Sequence, residues 1–254
     1  MLPTMVAVLA ALTLISPVSV LPRAHSHNDY AQQRPLQEAL DNGFSSVEAD
    51  IFLVEGKLLV GHNREDLKPE RNLEAMYLKP LADRIKQNHG WVYGEANKTL
   101  YVLVDIKSDG VNVYEAFKKT LTHFPELQYK KDHMAVRFII SGDRPIESIV
   151  RDKGLVAGLD GRWEDLSKGF SAQVMPWVSE DWLDHFKWIG AGEFPAEMQT
   201  KLQGMVKTCH DQGRKIRFWG APDSKSVWSV HWKNGVDWLN TDHLANLRAW
   251  MLEQ

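Results

Sequence analysis

Short apolar runs recur along the chain, with polar, helix-patterned stretches between them. The runs are SVLPRAH (19–25), FSSVEADIF (44–52), LYVLVDIK (100–107), AVRFIIS (135–141), LVAGLD (155–160), FSAQVMPW (170–177), KIRFWG (215–220) and GVDWLNT (235–241). Most are unbroken strings of Val, Ile, Leu and aromatic residues, the pattern of strands covered on both faces. Between them, segments such as GVNVYEAFKKTLTHF, PAEMQTKLQGMVKTCHDQG and TDHLANLRAWMLEQ carry helical spacing. Several open on Ser, Asp or Thr and close on Gly, as capped helices do. One hairpin, FLVEGKLLVGH, turns at Glu55-Gly56. Eight buried strands alternating with helices predict an α/β fold, a (β/α)8 TIM barrel, in a single domain over residues 23–254. The competing open, doubly wound sheet often carries a Gly-rich phosphate loop, and no GxGxxG or Walker-type motif occurs here.

The leader and the overall charge change this picture little. Residues 1–22, MLPTMVAVLAALTLISPVSVLP, have no charged side chain. The apolar core of about 15 residues suits a signal-peptide h-region and is short for a membrane span. It predicts an exported protein, periplasmic or secreted, with an uncleaved membrane anchor as the alternative. A length of 254 residues suits one barrel. Net charge −3 and pI about 6.4 offer no basic face for nucleic acid. The single cysteine, Cys209, rules out an intrachain disulfide. Ten tryptophans are expected mainly in packing, with some free to line a ligand site or touch a membrane surface transiently. A monomer is expected.

The ionisable residues fall at strand ends. His25 ends the first run; Glu48 and Asp50 lie late in the second; His62 closes the hairpin; Asp105 and Lys107 end the third; Trp177 and Trp219 end the sixth and seventh, and Asp242 follows the eighth. In a barrel of this kind the C-terminal strand ends build the active site. Residues i and i+2 of a strand share a face, so Glu48 points with Asp50, and Asp105 with Lys107. Three carboxylates converging at low dielectric repel, and one divalent cation removes that cost. Oxygen-only ligands favour a hard ion, Mg2+ or Ca2+. Lys107 is placed to pair with the acids or with a phosphate. His25 and His62, flanking such a site, each have the chemistry to give or take a proton. His27 remains open as a ligand, a substrate contact or a helix-entry residue, and Asn28 or Asp29 as caps of the following helix.

His25, SSVEADIF, LLVGHN, VDIKS, FWG and GVDWLNTD together resemble the glycerophosphodiester phosphodiesterase superfamily of phospholipase C-like barrels. HSHNDY and LYVLVDIKSDG look most like its altered-inheritance-of-mitochondria subgroup. The resemblance implies His25 and His62 as the acid/base pair, Glu48, Asp50 and Asp105 as divalent-metal ligands, Lys107 on the phosphate and Trp219 shaping the substrate pocket. It implies a phosphoric diester hydrolase for a glycerophosphodiester or lysophospholipid-like substrate. Asp105 stands where glycerophosphodiesterases usually have Glu, and only residues 63–99 precede the third strand. Both features look more like the spider-toxin sphingomyelinase D branch, which forms cyclic phosphates, although that branch's cysteine pair is missing. A metallohydrolase built on His25-Ser-His27 and a non-catalytic anion-binding barrel are the remaining alternatives.

Overall fold

The computed structural model describes residues 18–254. The export signal expected over 1–22 lies almost wholly outside them. The strands are β1 (Leu21–Ser26), β2 (Phe44–Val54), β3 (Lys57–Val60), β4 (Leu100–Ile106), β5 (Val136–Gly142), β6 (Gly158–Gly161), β7 (Trp177–Asp181), β8 (Lys215–Trp219) and β9 (Leu239–Thr241). The helices are α1 (Gln37–Asp41), α2 (Lys79–Gln87), α3 (Gly110–Leu121), α4 (Ile146–Arg151), α5 (Trp182–His185), α6 (Ala196–Asp211), α7 (Lys225–Lys233) and α8 (Leu244–Met251). Eight parallel strands run in the order β8-β7-β6-β5-β4-β2-β1-β9, and β3 folds back antiparallel on the far end of β2.

The last seam, between β8 and β9, is closed largely by side chains. One backbone bridge joins Arg217 and Trp238. Around it, Asp237 N–H donates to Ile216 O (3.0 Å), and Asn240 Nδ2 donates to Phe218 O (2.8 Å). A three-residue β9 offers too few ladder groups, and the Asn240 amide stands in for one. The result is the nearly closed (β/α)8 barrel that the alternation of runs predicts.

Strand parity sorts the core. On β2, Val47, Ala49 and Ile51 face the helices, while Ser46, Glu48 and Asp50 face the barrel axis. On β4, Val102, Val104 and Ile106 pack outward, while Tyr101, Leu103 and Asp105 face inward. The lower interior is plugged by Tyr101, Leu103, Ile139, Trp177 and Trp238; the two indoles cross edge to face at 5.2 Å. The plug floors the barrel beneath Glu48, Asp50 and Asp105, which face the upper end.

Three elements differ from the sequence expectation. Of FSAQVMPW, residues 170–176 are a connection, and β7 begins only at Trp177. Trp177 therefore sits in the barrel plug and not at the rim. Helix α2 was hidden by Pro80, which falls where a π-helical turn, Glu74–Leu78, runs straight into α2; the wider winding of that turn accommodates a residue that lacks an N–H. Strand β1 starts at Leu21, two residues ahead of the expected domain start at 23. Among the described residues no helix is long and apolar enough to cross a membrane.

Candidate active site

A cavity of about 320 Å3 opens at the C-terminal ends of the strands. It is lined by His27, Asn28, Glu48, Asp50, His62, Asp105, Lys107, Ser141, Arg162, Arg217 and Trp219, with Leu103 and Gly142. A second cavity of about 360 Å3, beside the β2–β3 hairpin, gathers a single carboxylate, Glu74, and no histidine. The barrel mouth is therefore where the chemistry collects.

Parallel register brings the acids together. Asp50 pairs with Asp105, and Asp105 with Ser141, in one layer across β2, β4 and β5. Glu48 lies one inward layer lower, opposite Leu103. One oxygen from each of Glu48, Asp50 and Asp105 falls within 4.8 Å of the others. Lys107 Nζ bridges Asp50 Oδ2 and Asp105 Oδ2, at 2.9 Å from each. Burial, then the charges of Asp50 and Glu48, push the Asp105 carboxyl up to about 6. Burial alone would raise Glu48 too, but Arg217 Nη2 (2.8 Å) and His25 Nε2 (3.0 Å) outweigh it and hold Glu48 well below the usual carboxylate range.

The cluster fits a divalent cation. Asp50 Oδ1 is buried and has no hydrogen-bond partner, although Oδ2 of the same group is crowded with donors. A buried carboxylate oxygen without a partner is costly, and a cation supplies one. The donor set is oxygen only, as a hard ion prefers.

The histidines divide differently from the expectation. His25 is fully buried and does not line the cavity. Its Nε2 donates to Glu48 Oε2, and its Nδ1 accepts from Ser46 Oγ (2.7 Å). Burial, with Arg217 nearby, lowers its pKa to about 4, so the ring is neutral and both nitrogens are engaged. The cause is register: His25 pairs with Ser46 on β2 and Asn240 on β9, one layer below Glu48. His27, two residues further, passes the end of β1 and reaches the cavity. Its Nδ1 donates to Asp242 Oδ1 (2.9 Å); Asn28 Nδ2 lies 3.0 Å from the same nitrogen, but the ionised carboxylate is the stronger partner. Burial acts to lower the His27 pKa; the Asp242 hydrogen bond and the charge of Glu48 outweigh it, and the net shift is upward. His62, at the end of the hairpin, donates from Nδ1 to Asp50 Oδ2 (3.0 Å), with its side chain 59% exposed. Both cavity histidines are thus anchored at Nδ1 by a carboxylate, and Nε2 of each makes no hydrogen bond to the described residues.

Trp219 lines the cavity as expected, 41% exposed. Four participants were missed: Tyr30, Asn28 as a cavity residue, Arg162 and Arg217; Asp242 was expected at the rim, at the end of the eighth run. The Tyr30 hydroxyl lies 2.8 Å from Asp50 Oδ2 and 2.6 Å from Asn28 Oδ1, and burial and then Asp50 hold it neutral. Asn28 is left-handed and caps nothing, while Asp29 is buried against Ser26, Tyr77 and the Leu36 N–H. Arg217 carried a readable signal, because it shares a strand face with Trp219. Tyr30 lies on a single 3-10 turn (Asp29–Ala31), and Asn28 and Arg162 on connections, whose placement no strand parity predicts.

Comparison with known proteins points the same way. Residues 14–149, just over half of the chain, match the model of the AIM6-like phosphodiesterase domain, and residues 215–245 match that of the glycerophosphoryl diester phosphodiesterase family. An altered inheritance of mitochondria protein 6 homolog of Arthroderma benhamiae is 27% identical over 252 residues, covering 86% of this chain and 80% of that protein. Altered inheritance of mitochondria protein 6 of Lachancea thermotolerans is 30% identical over 281 residues, covering 91% of this chain and 66% of its own length. The protein of that name from Eremothecium gossypii is 29% identical, covering 92% and 71%.

Proposed function

The chain belongs to the family of the AIM6-like phosphodiesterase domain, and from that premise we propose that it hydrolyses a phosphoric diester, with His27 and His62 as the acid/base pair. The observation that carries this reading is the cavity itself: three clustered carboxylates and two histidines, each held at Nδ1 by a carboxylate with Nε2 left for substrate. A carboxylate at Nδ1 sets the tautomer of each ring and leaves Nε2 as the atom that exchanges protons with substrate. His27 takes the role the sequence suggested for His25, because His25 has neither access to the cavity nor a free nitrogen.

Glu48, Asp50 and Asp105 would hold one divalent cation, Mg2+ or Ca2+, which when bound supplies positive charge against the phosphate oxygens. Lys107 adds a second positive group beside them. One histidine takes the proton of the attacking water at Nε2. The other gives a proton to the departing oxygen as the P–O bond breaks, so a diester and water become a monoester and an alcohol. His25 and Arg217 fix the Glu48 carboxylate from below and from the side. Trp219 offers an apolar flank to the substrate at the mouth. A glycerophosphodiester or a lysophospholipid-like diester is the proposed substrate class.

A second outcome, cyclic-phosphate formation by the substrate's own hydroxyl, is favoured by Asp105 and by the short segment between the hairpin and β4. 31P NMR of the protein with Mg2+, glycerophosphocholine and lysophosphatidylcholine tests both. An open-monoester resonance is the expected result; a cyclic-phosphate resonance selects the second outcome. An unchanged spectrum with Mg2+, Ca2+ and Mn2+ excludes both substrates. Isothermal titration of the ion, with Asp105→Asn losing at least about tenfold in affinity, tests the ligand set without reference to turnover.

A further inference from the structure

Three cationic side chains line the cavity, and two of them are committed to its carboxylates. Lys107 is held by Asp50 and Asp105, and Arg217 by Glu48 and by Asn240 Oδ1, 3.1 Å from its Nε. Arg162 differs. It follows β6, and its guanidinium leans over Ser141 of β5, the strand between β6 and β4. Its counter-ion, Asp160, is wholly buried beneath it and is not part of the cavity lining.

The Asp160 carboxylate has Arg162 as its one ion-pair partner among the described residues, while Arg144 Nη1 takes only the Asp160 carbonyl oxygen (2.8 Å). Asp160 Oδ2 accepts from Arg162 Nη1 (2.9 Å) and from Ser141 Oγ (2.6 Å), while Asp160 Oδ1 is buried without a partner. Nη1 also reaches the carbonyl oxygens of Asp160 and Gly161. Nη2 touches only Ser141 Oγ, at a long 3.4 Å, and Nε has no acceptor among the described residues. One edge of the guanidinium is thus pinned, and the other edge keeps its donors for the cavity. A planar fork of this kind matches a two-oxygen anion.

The reacting phosphate already has Lys107 and the carboxylate cluster, on β2 and β4. Lys107 lies on the β2–β4 side of the Asp105 carboxylate, whereas the Arg162 guanidinium lies on its β5–β6 side, over Ser141, where it addresses a different part of the same substrate. We propose that Arg162, positioned by Asp160 and Ser141, binds a carboxylate carried by the substrate, so that the pocket selects phosphodiesters whose head group bears one. A monoanion suits a single guanidinium that already shares its charge with Asp160. The inference rests on the phosphodiesterase reading for its reaction and on the Arg162 geometry for its selectivity.

Glycerophosphoserine and glycerophosphoethanolamine differ only in that carboxylate. The wild-type protein with Mg2+ is expected to prefer the serine diester at least about tenfold in kcat/KM, as loss of a charge-assisted hydrogen bond implies. In Arg162→Gln the preference falls to within about threefold of unity, and Arg162→Lys keeps part of it. Absence of the preference in the wild type, or a preference that Arg162→Gln leaves intact while both rates fall together, overturns the proposal. If neither diester is turned over, the hydrolase reading fails for these substrates, and calorimetric binding of phosphoserine against phosphoethanolamine decides the subsite. Tighter phosphoserine binding that Arg162→Gln abolishes supports it; equal binding of the two in the wild type refutes it.

Discussion

At the scale of single residues, the difference between the cavity histidines and His25 is one of access. His27→Ala and His62→Ala each remove a ring whose Nε2 makes no hydrogen bond to the described residues, so turnover should fall at least about a hundredfold. Their melting temperatures should stay close to that of the wild type. His25→Ala instead opens a void beside Trp177 and removes a donor from Glu48 and an acceptor from Ser46. That combination should cost about 3 kcal/mol of stability. Thermal melts beside kcat measurements separate the two classes. A His25→Ala protein that melts like the wild type but has no activity, together with an active His27→Ala protein, would reverse the assignment. The pairing of Glu48 with Asp50 was readable from i, i+2 spacing. The choice between His25 and His27 was not, because it depends on how far β1 slides along β2 and β9, and neither strand's own residues state that.

At the scale of elements, the end of β5 is built to receive Asp105. Gly142 has φ +71°, and a Cβ there would fall 2.1 Å from Asp105 Oδ1 and 2.2 Å from Ile106 O. Only glycine allows this crossing of β4 and β5 to stay tight. Gly142→Ala should therefore cost about 2 kcal/mol or more and push Asp105 off its position. Divalent-ion affinity measured by calorimetry should fall with it. Unchanged affinity in a folded Gly142→Ala protein would show that Asp105 is not a ligand. Strand and helix identities were largely legible, because apolar runs and capped amphipathic segments report local burial. FSAQVMPW misled because Met175 and Pro176 are packed against β6 at Gly161 and Gly158 while their backbone is not strand, and α2 was missed because Pro80 reads locally as a break, whereas the π-helical turn before it carries the helix through.

At the scale of the molecule, the barrel buries histidine that the unfolded chain would charge. His231 on α7 packs against Trp182 (4.7 Å) and Phe218, and burial, then Arg23, lowers its pKa to about 3. The unfolded state binds a proton near pH 6.5 that the folded state refuses until about pH 3. The contribution is complete above pH 6.5 and is lost as pH falls through that window. Between pH 7 and pH 5 this one group should remove about 2 kcal/mol of stability. His231→Phe keeps the aromatic packing and removes the proton, so its urea midpoint should fall less over that range. Parallel pH profiles for the two proteins would exclude His231 as a source of acid lability.

By itself the sequence determined the alternation of strands and helices, the shared face of Glu48 and Asp50, and the rim positions of Asp105, Lys107 and His62. Each of these follows from periods of two or 3.6 residues and from local composition, which a linear chain carries in full. Only the tertiary structure decided that His27 and not His25 reaches the cavity, that Arg217 joins Glu48 from across the closing seam, and that Arg162 stands apart on its own buried Asp160. Those outcomes depend on parallel register and barrel closure. Both are set by contacts between distant segments, such as Arg217 and Glu48, 169 residues apart, and His27 and Asp242, 215 apart, and no local pattern records them.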